Sequence, residues 1–197
     1  MAISESGLML DQTLDDMDVE NRWLSGKFVY WQTGITMPSA PPPVEGYEKD
    51  THCSAFAAAV ALRLGASLLS PPPEKFLANR QAEWLEALPP GWRQVSGPIE
   101  AQHLANKGFM VVISYFNPNP PGPDGIPPSG HIQVVRAHEG RSHGELEAVG
   151  PQVSQAGAVN FDCTTASEGF ASGYALSYPS YPWPKNVKYY AFALGSA

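Results

Sequence analysis

A thiol and an imidazole are the two groups in this chain whose settings could support covalent chemistry. Cys53 lies in Asp50-Thr51-His52-Cys53-Ser54-Ala55-Phe56, directly ahead of an alanine-rich apolar run. His131 lies in Gly130-His131-Ile132-Gln133-Val134-Val135, a glycine-histidine pair that opens an apolar, strand-like segment. The thiolate is the reactive form of cysteine, and both a helix N-terminus and a nearby histidine favour it. Thr51 or Asp50 could cap such a helix, placing Cys53 in its first turn. The only other cysteine is Cys163, so the choice of nucleophile is close to forced. The competing explanation is packing, because free cysteine is among the most buried residue types.

A third group should orient the imidazole from a neighbouring strand. If the segment after His131 folds back so that 135 pairs with 151, then 131 pairs with 155 and Gln155 stands beside the ring. Its carbonyl oxygen can accept the ring N–H. Gln152 is the register-shifted alternative, and Glu147 and Asn160 are weaker ones. His52 adjoins Cys53 but is a poorer base, since adjacent helical residues do not face each other. His103, His138 and His143 are given no catalytic role, and the five histidines lack metal-site spacing. No metal or organic cofactor is expected.

The elements that must position these groups follow from pattern. Residues 1–22 are acidic, with Leu8, Leu10 and Leu14 able to face a core from a short helix. Phe28-Val29-Tyr30-Trp31 reads as a strand or extended segment. The run from Ser54 to Leu64 reads as a buried central helix, stopped by Gly65. Further helices are expected over 74–88 and 99–107, and strands over 109–116 and 132–137. A return strand is expected over 146–149 and 152–156, interrupted at Gly150-Pro151, and a last strand over 187–194 closes the sheet. Helices first and an antiparallel sheet second make an α+β pattern. Proline-rich stretches at 38–43 and 117–128 flank both chemical groups and suggest cleft walls, with Trp31, Tyr115 and Phe116 as lining or core residues.

Composition narrows the function class. With 197 residues the chain fits one domain, and a net charge of −7 argues against nucleic acid or an anionic membrane as partner. No segment approaches the ~20 apolar residues of a membrane span. Two cysteines do not make a disulfide framework, and a Cys53–Cys163 bridge would remove the nucleophile. The first residues lack a basic region followed by an apolar stretch, so the expected location is cytoplasmic, or the cell wall by a signal-less export route.

Together these motifs resemble the bacterial papain-like peptidases and amidases of the NlpC and CHAP type. Cys53-Ser54-Ala55-Phe56 is similar to the cysteine-serine pair that opens their central helix, and Gly130-His131 to the pair that opens their next strand. Val153-Ser154-Gln155-Ala156-Gly157 stands where their polar third residue follows. The order cysteine, histidine, polar residue sets the chain apart from the circularly permuted relatives. The resemblance covers roughly residues 28–160, leaving 1–27 and 161–197 as extensions, the latter ending in a strand. It departs where His52 replaces a common aspartate and Ala55 a common glycine. The resemblance implies a papain-like fold, N-terminal helices packed on a central antiparallel sheet. It also implies hydrolysis of an amide in peptidoglycan stem peptides or cross-links. Cys53 would be the nucleophile, His131 the general base and then acid, Gln155 the orienting group, and Tyr47 a second polar group near the thiol. A wall-degrading toxin of this type leaves room for an inhibitor or immunity protein as partner. An acyltransferase or cytosolic peptidase on the same fold, or a non-catalytic binding module, are the alternatives.

Overall fold

Small side chains let a helix approach a sheet closely, and that is how the centre of this protein is built. The computed structural model describes residues 2–38, 51–69, 78–120, 128–173 and 182–194. Helix α1 spans Glu5–Met17, and α2 spans Cys53–Leu64, buried continuously from Cys53 to Ala61. Gly65 ends α2 at φ 69, a left-handed conformation that glycine adopts without strain. Its N–H turns back to the carbonyls of Ala61 and Leu62. Helix α1 buries Leu10, Leu14 and Met17, whereas Leu8 faces solvent, contrary to the expectation for that leucine. It starts at Ser4, whose hydroxyl accepts from the N–H of Gly7.

The remaining elements are α3 (Ala78–Glu86), β1 (Trp92–Val95), α4 (Pro98–Asn106), β2 (Met110–Tyr115), β3 (His131–Val135), α5 (His143–Val149), β4 (Gln152–Gln155), β5 (Phe161–Thr165), α6 (Ala166–Ala171) and β6 (Val187–Phe192). The six strands form one antiparallel sheet in the order β1-β6-β2-β3-β4-β5. The molecule is therefore α+β, with helices and strands interleaved along the chain rather than segregated. Strand β6 lies between β1 and β2 instead of at the edge.

Strand alternation assigns the helices to faces. Tyr115 pairs with His131, so both project to one side, and Phe170 of α6 meets both rings edge-on. Trp92 and Met110 each pair with Phe192, on the opposite side, and Trp84 of α3 meets Trp92 there. Helix α2 crosses β3 and also touches β2 and β4. The buried apolar side chains of α1, α2, the sheet and α6 form one cluster, so the terminal segments 1–27 and 161–197 contribute to the same core. Arg136, just past β3, fastens α1 to the sheet through Asp15 at 2.5 Å and Asp11 at 3.5 Å.

The elements differ from those read in the sequence at several places. Residues 146–149 are helical, not a strand. Ser142 and Glu145 form a reciprocal capping box that starts α5, and only Leu146 of the helix is buried. Of the two readings of Phe28–Trp31, a strand or an extended segment, the sheet strand is not formed: among the described residues the segment makes an isolated bridge, Val29 to Thr36, outside the sheet. Strands β1 and β5 and helix α6 were not anticipated. Among the described residues no helix is long and apolar enough to cross a membrane.

Candidate active site

Cys53 is the first residue of α2, His131 the first of β3 and Gln155 the last of β4. Three element ends thus converge, each nearly excluded from solvent at 2%, 6% and 0% exposure. The N-cap of α2 is His52, with no side-chain cap, so Thr51 does not play the expected part; the other expected cap, Asp50, lies outside the described residues. The His52 ring instead bonds the carbonyl of Lys27 at 2.8 Å, away from a role as base.

Strands β3 and β4 pair Val134 with Ser154 and Val135 with Val153. Continuing that register sets Gln133, not His131, opposite Gln155: the pairing is two residues from the one the sequence suggested. A two-residue shift keeps every side chain on its face. Gln155 therefore still reaches His131 diagonally, its Oε1 lying 2.9 Å from Nε2 of the ring. The amide orientation is fixed by its surroundings. Nε2 of Gln155 donates to the carbonyls of Val159 and Gly169, both at 3.2 Å, and to the Ser172 hydroxyl at 3.4 Å. Oε1 also accepts from Nε2 of Gln133 at 2.8 Å. A carbonyl oxygen only accepts, so His131 carries its proton on Nε2 and leaves Nδ1 for the thiol.

Cys53 and His131 are hydrogen-bonded to each other. Burial pushes the thiol up, but the charge and hydrogen bond of His131 and the N–H groups of Ile132 and Ser54 outweigh it, leaving the thiol below its ordinary value. For His131, burial disfavours the charged ring. The Cys53 charge, the Cys53 hydrogen bond and the Gln155 hydrogen bond override it, and the imidazole stands above its ordinary value. Opposite shifts in a contacting pair favour thiolate and imidazolium together.

A glycine before His131 is required by space. Any side chain at Gly130 would collide with Asn79 and with the carbonyl of Tyr115. Asn79 of α3 ties the incoming and outgoing loops, donating to the carbonyls of Asn117 and Pro128 and accepting from the N–H of Asn117. The chain is thereby delivered to His131 in a fixed position. Beside the ring lies a cavity of about 220 Å³ whose walls include Thr51, Ser129, Gly130, Ala158 and Gly169. A larger cavity of about 390 Å³, around Ala82, Ser114 and Lys188, contains none of the three converging side chains.

The other nominated residues fall elsewhere. Gln152 sits at the far end of β4, where Oε1 accepts from Arg141 at 2.5 Å and Nε2 donates to Cys163 at 2.6 Å, so it does not orient His131. Asn160 anchors the chain to the carbonyls of Val19, Arg22 and Trp23, and Glu147 is exposed on α5. Tyr47 lies outside the described residues, as does most of each proline-rich stretch. Tyr115 is a core residue, Trp31 packs against the core, and Phe116 borders the larger cavity. Both cysteines are free thiols, Cys53 buried and Cys163 exposed. Among the described residues no three His, Cys, Asp or Glu side chains converge as metal ligands. Gln133 is the residue that sequence reasoning passed over. A glutamine between Ile132 and Val134, in an otherwise apolar buried strand, was the signal.

No protein-family profile and no curated protein matches this chain.

Proposed function

We propose that this chain is a cysteine-dependent amidase or endopeptidase of the papain-like, NlpC and CHAP type, cleaving amide bonds in peptidoglycan stem peptides or cross-links. The observation that carries the reading is the continuous hydrogen-bonded chain Cys53–His131–Gln155, with the thiol shifted down and the imidazole shifted up. In the reaction the Cys53 thiolate attacks the carbonyl carbon and the C=O electrons move onto oxygen. The backbone N–H of Cys53, at a helix end without a side-chain cap, is suited to receive that oxyanion. As the tetrahedral intermediate collapses, imidazolium His131 protonates the leaving nitrogen, and a thioester and a free amine result. His131 then takes a proton from water, the hydroxide displaces sulfur, and a carboxylate departs. Gln155 holds the Nε2–H throughout, so Nδ1 remains the exchanging nitrogen.

The peptidoglycan assignment is supported by the resemblance of the Cys53 and Gly130-His131 motifs, the cysteine-histidine-glutamine order, and a cavity beside His131 walled by small and hydroxylated residues. Purified sacculi incubated with the protein and analysed by mass spectrometry should yield fragments with a new amine and a new carboxylate, absent with Cys53→Ala. No such product from the wild type refutes the peptidoglycan reading. Turnover of another amide or an acyl transfer would then place the same site in a different chemistry.

A further inference from the structure

Three of the four atoms in the Gln133–Gln155 amide pair are accounted for by hydrogen bonds, and the fourth is the informative one. Both side chains are fully buried. Nε2 of Gln133 donates to Oε1 of Gln155 at 2.8 Å and to the Ala166 carbonyl at 3.3 Å. Oε1 of Gln133 is buried with no hydrogen-bond partner among the described residues. Leaving a buried acceptor unsatisfied is unfavourable. Turning the amide over would not relieve it, because Oε1 would then face two carbonyl oxygens, those of Gln155 and Ala166. The fold thus keeps a donor aimed at Gln155 even though the other end of that amide has no partner among the described residues.

We infer that Gln133 is a positioning residue for the proposed catalytic histidine, acting through Gln155. Its N–H locks the Gln155 amide with the carbonyl oxygen toward the imidazole. The three acceptors on the opposite end of Gln155 lie at 3.2–3.4 Å, whereas the Gln133 contact is 2.8 Å, so Gln133 supplies the tightest restraint on amide orientation. A rotated Gln155 would present N–H to Nε2 of His131 and favour the wrong ring tautomer, with the proton on the side of Cys53. Helix α6 closes the joint. A methyl on Gly169 would overlap both the Gln133 nitrogen and the Gln155 oxygen, so the two amides are clamped between β3, β4 and that helix.

The inference rests on the reading of Cys53 and His131 as nucleophile and base, and its test needs no substrate. In a Cys163→Ala background, the rate of Cys53 alkylation by iodoacetamide is measured against pH, and the His131 ring nitrogens are followed by NMR. Gln133→Met keeps length and loses the donor. Alkylation near pH 7 should slow about tenfold, the weight of one hydrogen bond at the upper end of its range, and the ring should show mixed tautomers. Gln133→Glu keeps a donor only while protonated, so it should match wild type at low pH and fall toward the Met variant as it ionises. Gly169→Ala reaches the same joint from α6 and should shift the profile in the same direction. Alkylation profiles and ring signals for Gln133→Met and Gly169→Ala that coincide with wild type overturn the inference, as does a Glu variant equal to Met at every pH. Failure to digest sacculi leaves it untouched. Wild-type Cys53 no more reactive than Cys163 removes the reading beneath it, and shows this before any variant is made.

Discussion

Replacing Gln155 by leucine tests the site most directly, because it removes one acceptor from a buried ring while keeping volume. The Nε2–H of His131 loses its 2.9 Å partner on a ring that is almost wholly buried, as Gln155 is. A hydrogen bond to a charged group contributes about 1.5–3 kcal/mol, equivalent to roughly one to two pKa units. The sign follows from the balance at His131. Burial already works against the charged ring, and the Gln155 bond is one of three effects that overcome it. Without that bond the imidazolium loses its proton at lower pH, and the thiolate that it stabilises loses its partner. Alkylation of Cys53 near pH 7 should therefore slow by about ten- to a hundredfold. Stability carries a second signature. A histidine raised above its ordinary 6.5 stabilises the fold fully below that value, and the benefit fades as pH rises through the folded-state value. The gap in urea stability between wild type and Gln155→Leu should thus be widest below about pH 6.5 and narrow on the alkaline side to a pH-independent remainder, set by the other bonds of that amide to Gln133, Val159, Gly169 and Ser172. An alkylation profile identical to wild type, in a variant that unfolds cooperatively, would refute the orienting role.

Cys53→Ala should abolish turnover with little change in thermal unfolding, while Cys163→Ala leaves turnover intact; mass-spectrometric labelling should find Cys53 modified first by a small reagent, despite its burial. The pH dependence of hydrolysis should be bell-shaped, rising below the ordinary thiol value of 9.0 and falling above the ordinary imidazole value of 6.5, as initial rates across buffers would show. The two apparent values belong to the pair rather than to either residue. Arg136→Met should cost about 2–4 kcal/mol in urea unfolding, less than a fully buried pair because Asp15 is half exposed. The loss also leaves the Asp162 carbonyl without its 2.8 Å donor.

Where the sequence could be read, a single local signal settled the matter. The alanine run ending in Gly65 specifies α2 and places Cys53 at its start without help from the rest of the fold. The pairing of β3 and β4 was legible for a different reason. Alternation constrains parity much more strongly than register, so an expectation wrong by two residues still placed Gln155 beside His131. A one-residue error would have moved it to the other face, where Ser154 stands. Helix α5 departs from the expected strand because the Ser142–Glu145 capping box sets its start, whereas Leu146 and Val149 alone fit a strand equally well. The edge strand β5 contains Asp162, Cys163, Thr164 and Thr165, which show no apolar alternation, and it is formed only by pairing with β4.

Helix α6 was missed with greater consequence. Six residues of ordinary composition, opened by the Thr165 cap on the N–H of Glu168, give no periodic apolar face to detect. Yet this helix supplies Phe170 against the His131 ring, the Ala166 carbonyl to Gln133 and the Gly169 carbonyl to Gln155. It lies outside residues 28–160, the stretch on which the proposed kinship rests, so the proposed nucleophile and base sit in that stretch while much of what orients the His131 ring comes from beyond it. Chemistry-bearing residues can be found from their own motifs because thiols and imidazoles are few. Residues that hold them in place are chosen for shape and backbone reach, and those properties exist only once the chain has folded. The tautomer of His131 is therefore set by contacts that no motif at Cys53 or His131 encodes.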